Sequence, residues 1–208
     1  MSDEKRNDGH STLDRLITVL SGLPSFGVLG KAWQLTRQAL QARSYRGMYE
    51  VLEHETTLEL KDRAGKRATL KKEKRVRYLQ DNIIAYHDQA WGDGEILLDY
   101  RCTPGIAVDR YRLGYKTYIL ISRREVKNKG DVDTFHSEWR IRQGFLRKTE
   151  QWETHVQQPT KHLTINVVFP KSRPPLRAVL IESNRQRSQN LGKDAWMRLP
   201  DGRWLVAW

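Results

Sequence analysis

The sequence predicts a mainly β protein, an antiparallel β-sandwich or barrel preceded by a short N-terminal α-helical hairpin. Three observations carry that prediction. Apolar residues recur at helical spacing only between about 11 and 46. From Tyr49 onward they alternate in short runs instead. Those runs are separated by turn signals, "DRAGK", "WGDGE", "TPG", "KNKGD", "FPKSRPP" and "LPDGR", with no helical pattern between them.

Residues 1–10 read as a polar leader. Ser11 and Thr12 are N-cap residues for a helix whose Leu13, Leu16, Ile17 and Leu20 form one apolar stripe. "SGLPS" breaks it, and a second helix carries Leu29, Ala32, Trp33, Thr36 and Leu40 to about Arg43. Two helices this short cannot bury their stripes alone and must pack on each other and on a further surface. That assigns Leu13, Leu16, Ile17, Leu20, Leu29 and Trp33 to protein association.

Residues 47–208 form the β domain. Its first hairpin joins "YEVLEHETTLELKD" to "RATLKKEKRVRYL". Further strands are expected at 96–100, 116–123, 135–145, 152–156, 162–169, 178–183, 195–199 and 203–208. In the last hairpin, "PDG" joins "AWMRL" to "RWLVAW", and Trp204, Val206 and Trp208 share a face.

At 208 residues the chain is long enough to bury one good core with a small appendage. Hydrophobic residues make up 38% and charged ones 30%, with seven Trp, so the chain is polar yet too aromatic to be disordered. The formal charge of +12 favours anionic partners. Cys102 is the sole cysteine, which excludes an internal disulfide and a Cys-based zinc site. No signal-peptide pattern and no apolar run of membrane-spanning length is present, so a cytoplasmic location follows by default.

Much of the charge sits in "KDRAGKRATLKKEKRVR", where nine Lys and Arg face two acids. As a strand it places Lys71, Arg75 and Arg77 on one face and Lys72 and Lys74 on the other. The expectation is an edge or protruding hairpin kept soluble by charge. The alternative is unspecific nucleic-acid binding, with Lys71, Lys72, Lys74, Arg75 and Arg77 as phosphate contacts. Tyr111, Tyr115 and Tyr118 read as cross-strand packing rather than a base-stacking platform.

Catalytic signals are thin. His10, His54, His87, His136, His155 and His162 show no metal-like spacing, although strand pairing would be able to join His155 and His162. There is no nucleophile elbow and no phosphate loop, and hence no cofactor is expected. Asp93 and Glu95 flank Gly94 in a turn too short for a calcium loop. Cys102 beside Arg101 reads as an inert core thiol.

The segment "LDRLITVLSGLPSFGVLGKAWQLTRQAL" resembles the short helical effector-associated modules of bacterial conflict and antiviral systems, through Leu16, Leu20, Leu23, Pro24, Phe26, Arg37 and Leu40. The resemblance implies an adaptor: like modules on two chains pair and bring a sensor to an effector. The expected function is a non-enzymatic adaptor or sensor whose β domain binds a partner or ligand. Nucleic-acid binding, and an enzyme whose site is assembled from distant residues, are the alternatives.

Overall fold

The computed structural model describes residues 47–208. The helical hairpin, with Leu13, Leu16, Ile17, Leu20, Leu29 and Trp33, lies outside the described residues. The strands are β1 (Tyr49–Leu60), β2 (Arg67–Tyr78), β3 (Ile83–Ala90), β4 (Glu95–Thr103), β5 (Ile106–Leu113) and β6 (Lys116–Lys127). They continue with β7 (Val132–Arg142), β8 (Thr160–Phe169), β9 (Val179–Glu182), β10 (Arg187–Asn190), β11 (Trp196–Arg198) and β12 (Trp204–Ala207). A large sheet has the order β11-β12-β8-β1-β2-β7-β4, a small one β3-β6-β5, and β9 pairs with β10. The described residues are thus mainly β, in sheets that do not close into a barrel.

The two main sheets share one apolar core. Leu58, Leu70, Val76, Tyr78, Phe135 and Trp139 of the large sheet pack with Tyr86, Ile119 and Ile121 of the small one. Tyr86 and Phe135 stack across the gap with ring centroids 3.9 Å apart. Two ion pairs also cross it. Lys72 of β2 meets Asp88 of β3 at 3.0 Å, and Arg123 of β6 pairs with Asp133 of β7.

The first hairpin forms where the alternation places it. Asp62 accepts hydrogen bonds from the Lys66 and Arg67 N–H groups, each at 3.0 Å, and so shapes the turn. Gly65 there has φ +69°, and a Cβ would lie 1.7 Å from the Phe145 carbonyl oxygen, so only glycine fits. The expected edge position is not observed. β2 pairs with β1 on one side and β7 on the other, and β1 pairs with β8, so the hairpin lies inside the sheet.

Two further expectations are corrected. The sheet is not purely antiparallel: β1 and β8 run parallel, with Val51 opposite Thr160 and Glu59 opposite Val168. Parallel neighbours need a long crossover, and residues 143–159 supply it. Residues 152–156, expected as a strand, form part of this strap without ladder pairing. Backbone bonds tie the ends of the strap, from the Gln143 and Phe145 N–H groups to the Lys66 and Gly65 carbonyls and from the Val51 N–H to the Pro159 carbonyl. Between them Gln157 Nε2 donates to Gln89 Oε1 at 3.3 Å, and His155 meets Lys116 Nζ.

The sequence reading also passed over β3, β5 and β10. In β3 a register irregularity between Ile83 and Ala85 breaks the alternation, and Asp88 occupies an inward position. The partners of Arg123 set a test of the core. Asp133→Ala leaves a buried guanidinium without its carboxylate and should destabilise by about 3–5 kcal/mol in urea unfolding followed by Trp fluorescence. Replacing both partners, Arg123→Met with Asp133→Leu, should recover most of that loss.

Candidate functional site

The inner face of β2 carries Ala68, Leu70, Lys72, Lys74, Val76 and Tyr78 in strict alternation. Two lysines therefore sit among core residues on an interior strand. Lys72 is matched: its ammonium donates to Asp88 Oδ1 at 3.0 Å and to the Gln89 carbonyl at 2.8 Å, and lies 4.6 Å from the Trp139 ring centre. Asp88 also accepts from the Gln89 N–H at 2.8 Å, from Tyr100 Oη at 3.1 Å and from Ser137 Oγ at 2.9 Å. Burial alone would push the Asp88 carboxyl up. The charges of Lys72 and Lys74 and these donors hold it below the usual carboxylate range instead.

Lys74 is not matched. Among the described residues it makes no hydrogen bond or ion pair. Burial, reinforced by the neighbouring Lys72 charge and opposed by Asp88, pulls its ammonium down to about 8. Directly opposite it on β1 stands His54, on the inward face with Thr56, Leu58 and Leu60. His54 is 4% exposed, and its Nε2 is buried without a hydrogen-bond partner. Burial and then the Lys74 and Lys72 charges push its pKa down to about 3, so the ring is neutral at ordinary pH.

Lys74 and His54 line a pocket of about 40 Å³ at the free edge of β3. Tyr49 and Val51 complete the large-sheet side, His87, Gln89 and Tyr118 form the small-sheet side, and residues 155–158 with Thr160 form the wall. Among the described residues no Asp or Glu lines it. His155, held by Lys116 and edge-on to Trp91, closes one side, and burial lowers its pKa and that of His87. The three histidines do not make a metal centre: among the described residues no group of three or more His, Cys, Asp or Glu could hold an ion.

The other residues singled out from the sequence fall elsewhere. Lys71, Arg75 and Arg77 do share the outward face, where they meet Glu138 at 3.9 Å, Glu53 at 3.2 Å and Glu50 at 3.0 Å. The apparent basic grip is thus a set of cross-strand ion pairs, with Lys72 and Lys74 turned inward. Asp93 and Glu95 pair with different arginines, Arg147 and Arg142. His162 stands in β8 opposite Glu53, while His155 belongs to the strap. Cys102 donates toward the Gly105 carbonyl, and burial pushes its thiol up. Tyr111 and Tyr118 stack across β5 and β6 with centroids 5.4 Å apart.

No family model matches the chain, and no curated protein matches it. Among solved structures, the M1 zinc metallopeptidase from Deinococcus radiodurans has a TM-score of 0.44 at 8% identity, over 78% of this chain and 39% of that one. A mutant of the Deinococcus radiodurans enzyme bound to a Tyr-ser-ala substrate has a TM-score of 0.45 at 6% identity, over 77% of this chain and 38% of that one. This chain therefore spans less than half the length of either. No helix among the described residues is long and apolar enough to cross a membrane.

Lys74 supplies a test with a defined sign. Its folded pKa is depressed, so the charged amine costs stability below pH 8, and the cost fades as pH rises from 8 toward the unfolded value of 10.5. Lys74→Met should raise the unfolding free energy at pH 7 by about 1–3 kcal/mol. In urea titrations that gain should shrink by pH 10.5, as the wild type loses its own penalty.

Proposed function

We propose that this chain is a non-enzymatic, cytoplasmic binding protein of the adaptor or sensor kind. Residues 47–208 act as a β-sandwich module that takes a partner or ligand. Residues 11–46 associate with another protein through Leu13, Leu16, Ile17, Leu20, Leu29 and Trp33, in an assembly of the bacterial defence or signalling type. The observation that supports the binding half is the pocket. Among the described residues its Lys74 ammonium and His54 Nε2 have no hydrogen-bond partner, while Asp88 beside them is saturated by four donors.

A buried polar group without a partner is costly, and a bound ligand group offsets that cost. The lining offers a ligand one uncompensated cation beside neutral His54, with no carboxylate among the described lining residues to compete for it. Nucleic-acid contact has less support, since the outward cations of β2 are already paired with glutamates.

Association through the N-terminal stripe is tested by affinity capture from a host lysate. Leu16→Asp with Leu20→Asp should abolish the captured band while shifting the melting transition by less than about 2 °C. Unchanged capture overturns the adaptor half. A collapsed melt assigns the stripe to the core.

A further inference from the structure

We propose that the pocket is a carboxylate-binding site, in which the Lys74 ammonium pairs with one carboxylate oxygen and His54, as its Nε2–H tautomer, donates to the other. This rests on reading the pocket as the ligand site of the β domain.

Geometry carries the assignment. His54 and Lys74 are direct register partners on β1 and β2, both on the inner face. Side chains opposite each other on neighbouring strands start about 4.5–5.5 Å apart at Cβ, close enough for one carboxylate to bridge them. Neither group has a hydrogen-bond partner among the described residues, and both are donors when Nε2 carries the proton. The nearest carboxylate, Asp88, has both oxygens occupied, Oδ1 by Lys72 and the Gln89 N–H, Oδ2 by Tyr100 and Ser137.

Size and charge narrow the ligand. A pocket of about 40 Å³ holds roughly three water-sized groups at about 10–15 Å³ each, which suits a carboxylate and its first carbon. No acid of the described residues lines it, and the negative charge that reaches Lys74 and His54, that of Asp88, is offset by Lys72. A charge-assisted pair of hydrogen bonds is also the arrangement that most relieves a desolvated ammonium.

The site predicts a pH signature. The anion needs the charged amine, so affinity should be level below pH 8 and fall about tenfold per pH unit above it. The groups facing Lys74 keep that window simple. Lys72 is paired with Asp88, His54 is neutral, and burial raises the Tyr49 hydroxyl above its ordinary value. Across the pocket, His87 and His155 titrate below the ordinary histidine value, His155 with Lys116 and Glu153 acting on it. Lys116 is itself lowered by burial, so the comparison with Lys74→Met isolates the Lys74 share.

The test is a titration of the full-length protein with sodium acetate at constant ionic strength, read by the nitrogen and carbon resonances of the His54 ring. Saturable shifts with a dissociation constant on the order of 1–10 mM are expected at pH 7. Binding should weaken by roughly tenfold at pH 9, and by at least about tenfold in Lys74→Met at pH 7. Equal affinity in Lys74→Met, or no change at pH 9, overturns the proposal. Acetamide, matched in shape and uncharged, separates the two readings. A response to acetamide without one to acetate overturns the carboxylate assignment and leaves the pocket as a ligand site. A response to neither overturns both.

Discussion

The seating of the small sheet on the large one depends on a single buried carboxylate. Asp88 takes donors from four strands: Lys72 of β2, the Gln89 backbone of β3, Tyr100 of β4 and Ser137 of β7. Three of those strands belong to the large sheet and only β3 to the small one. Sliding β3 by one residue would turn Asp88 to the outer face and leave three side-chain donors in the core without an acceptor, a penalty of several kcal/mol in all. Apolar contacts between the sheets tolerate small slips, whereas this network does not. The buried pair therefore fixes alignment more than it adds stability, in keeping with the cost of removing two charges from water.

Arg123 and Asp133 form a second crossing of opposite polarity, with the cation now on the small sheet. Tyr78 Oη and Lys127 Nζ also approach Asp133, at 3.5 and 3.9 Å. A sheet turned end for end would set Lys72 against Arg123 and Asp133 against Asp88, like charges at both places. Lys74 is the member of this buried set that the domain leaves unbalanced. It feels Asp88 across the core, yet Asp88 has no oxygen left to offer it. The candidate site is in this sense a by-product of the clamp, since saturating one lysine strands its neighbour two residues along.

Much of the β architecture was legible in the sequence. The first hairpin, the last hairpin and strands β4, β6, β7, β8 and β9 fall where alternation and turn residues place them. What escaped had specific causes. β3 hides its period behind a register irregularity and an inward aspartate, and β5 is an exposed edge strand with no buried residue. The pocket escaped because Lys72 and Lys74 read as surface charge. Yet their parity matches that of Leu70 and Val76, a signal that they share the buried face. His54 carries the same kind of signal, since its parity is that of Leu58 and Leu60, but the register shift after Val51 gives Tyr49 and Val51 the opposite parity and blurs the pattern along β1. The glutamates that neutralise the outward cations come from β1 and from β7, distant in sequence, so local charge counting overstated the basic patch.

The parallel pairing of β1 with β8 has a consequence for the order in which the domain is made. β1 is the first of the described strands to be synthesised, while its partner begins at Thr160, about a hundred residues later. During synthesis, and after any cut in the strap, one side of β1 is an open row of backbone donors and acceptors of the kind that recruits foreign strands. Glu50, Glu53, Glu55 and Glu59 along β1 put negative charge beside that row while it waits. Glu50 and Glu53, which later balance Arg77 and Arg75 of β2, thus first serve as guards of an unfinished sheet, and the domain is most open to aggregation in the interval before β8 arrives.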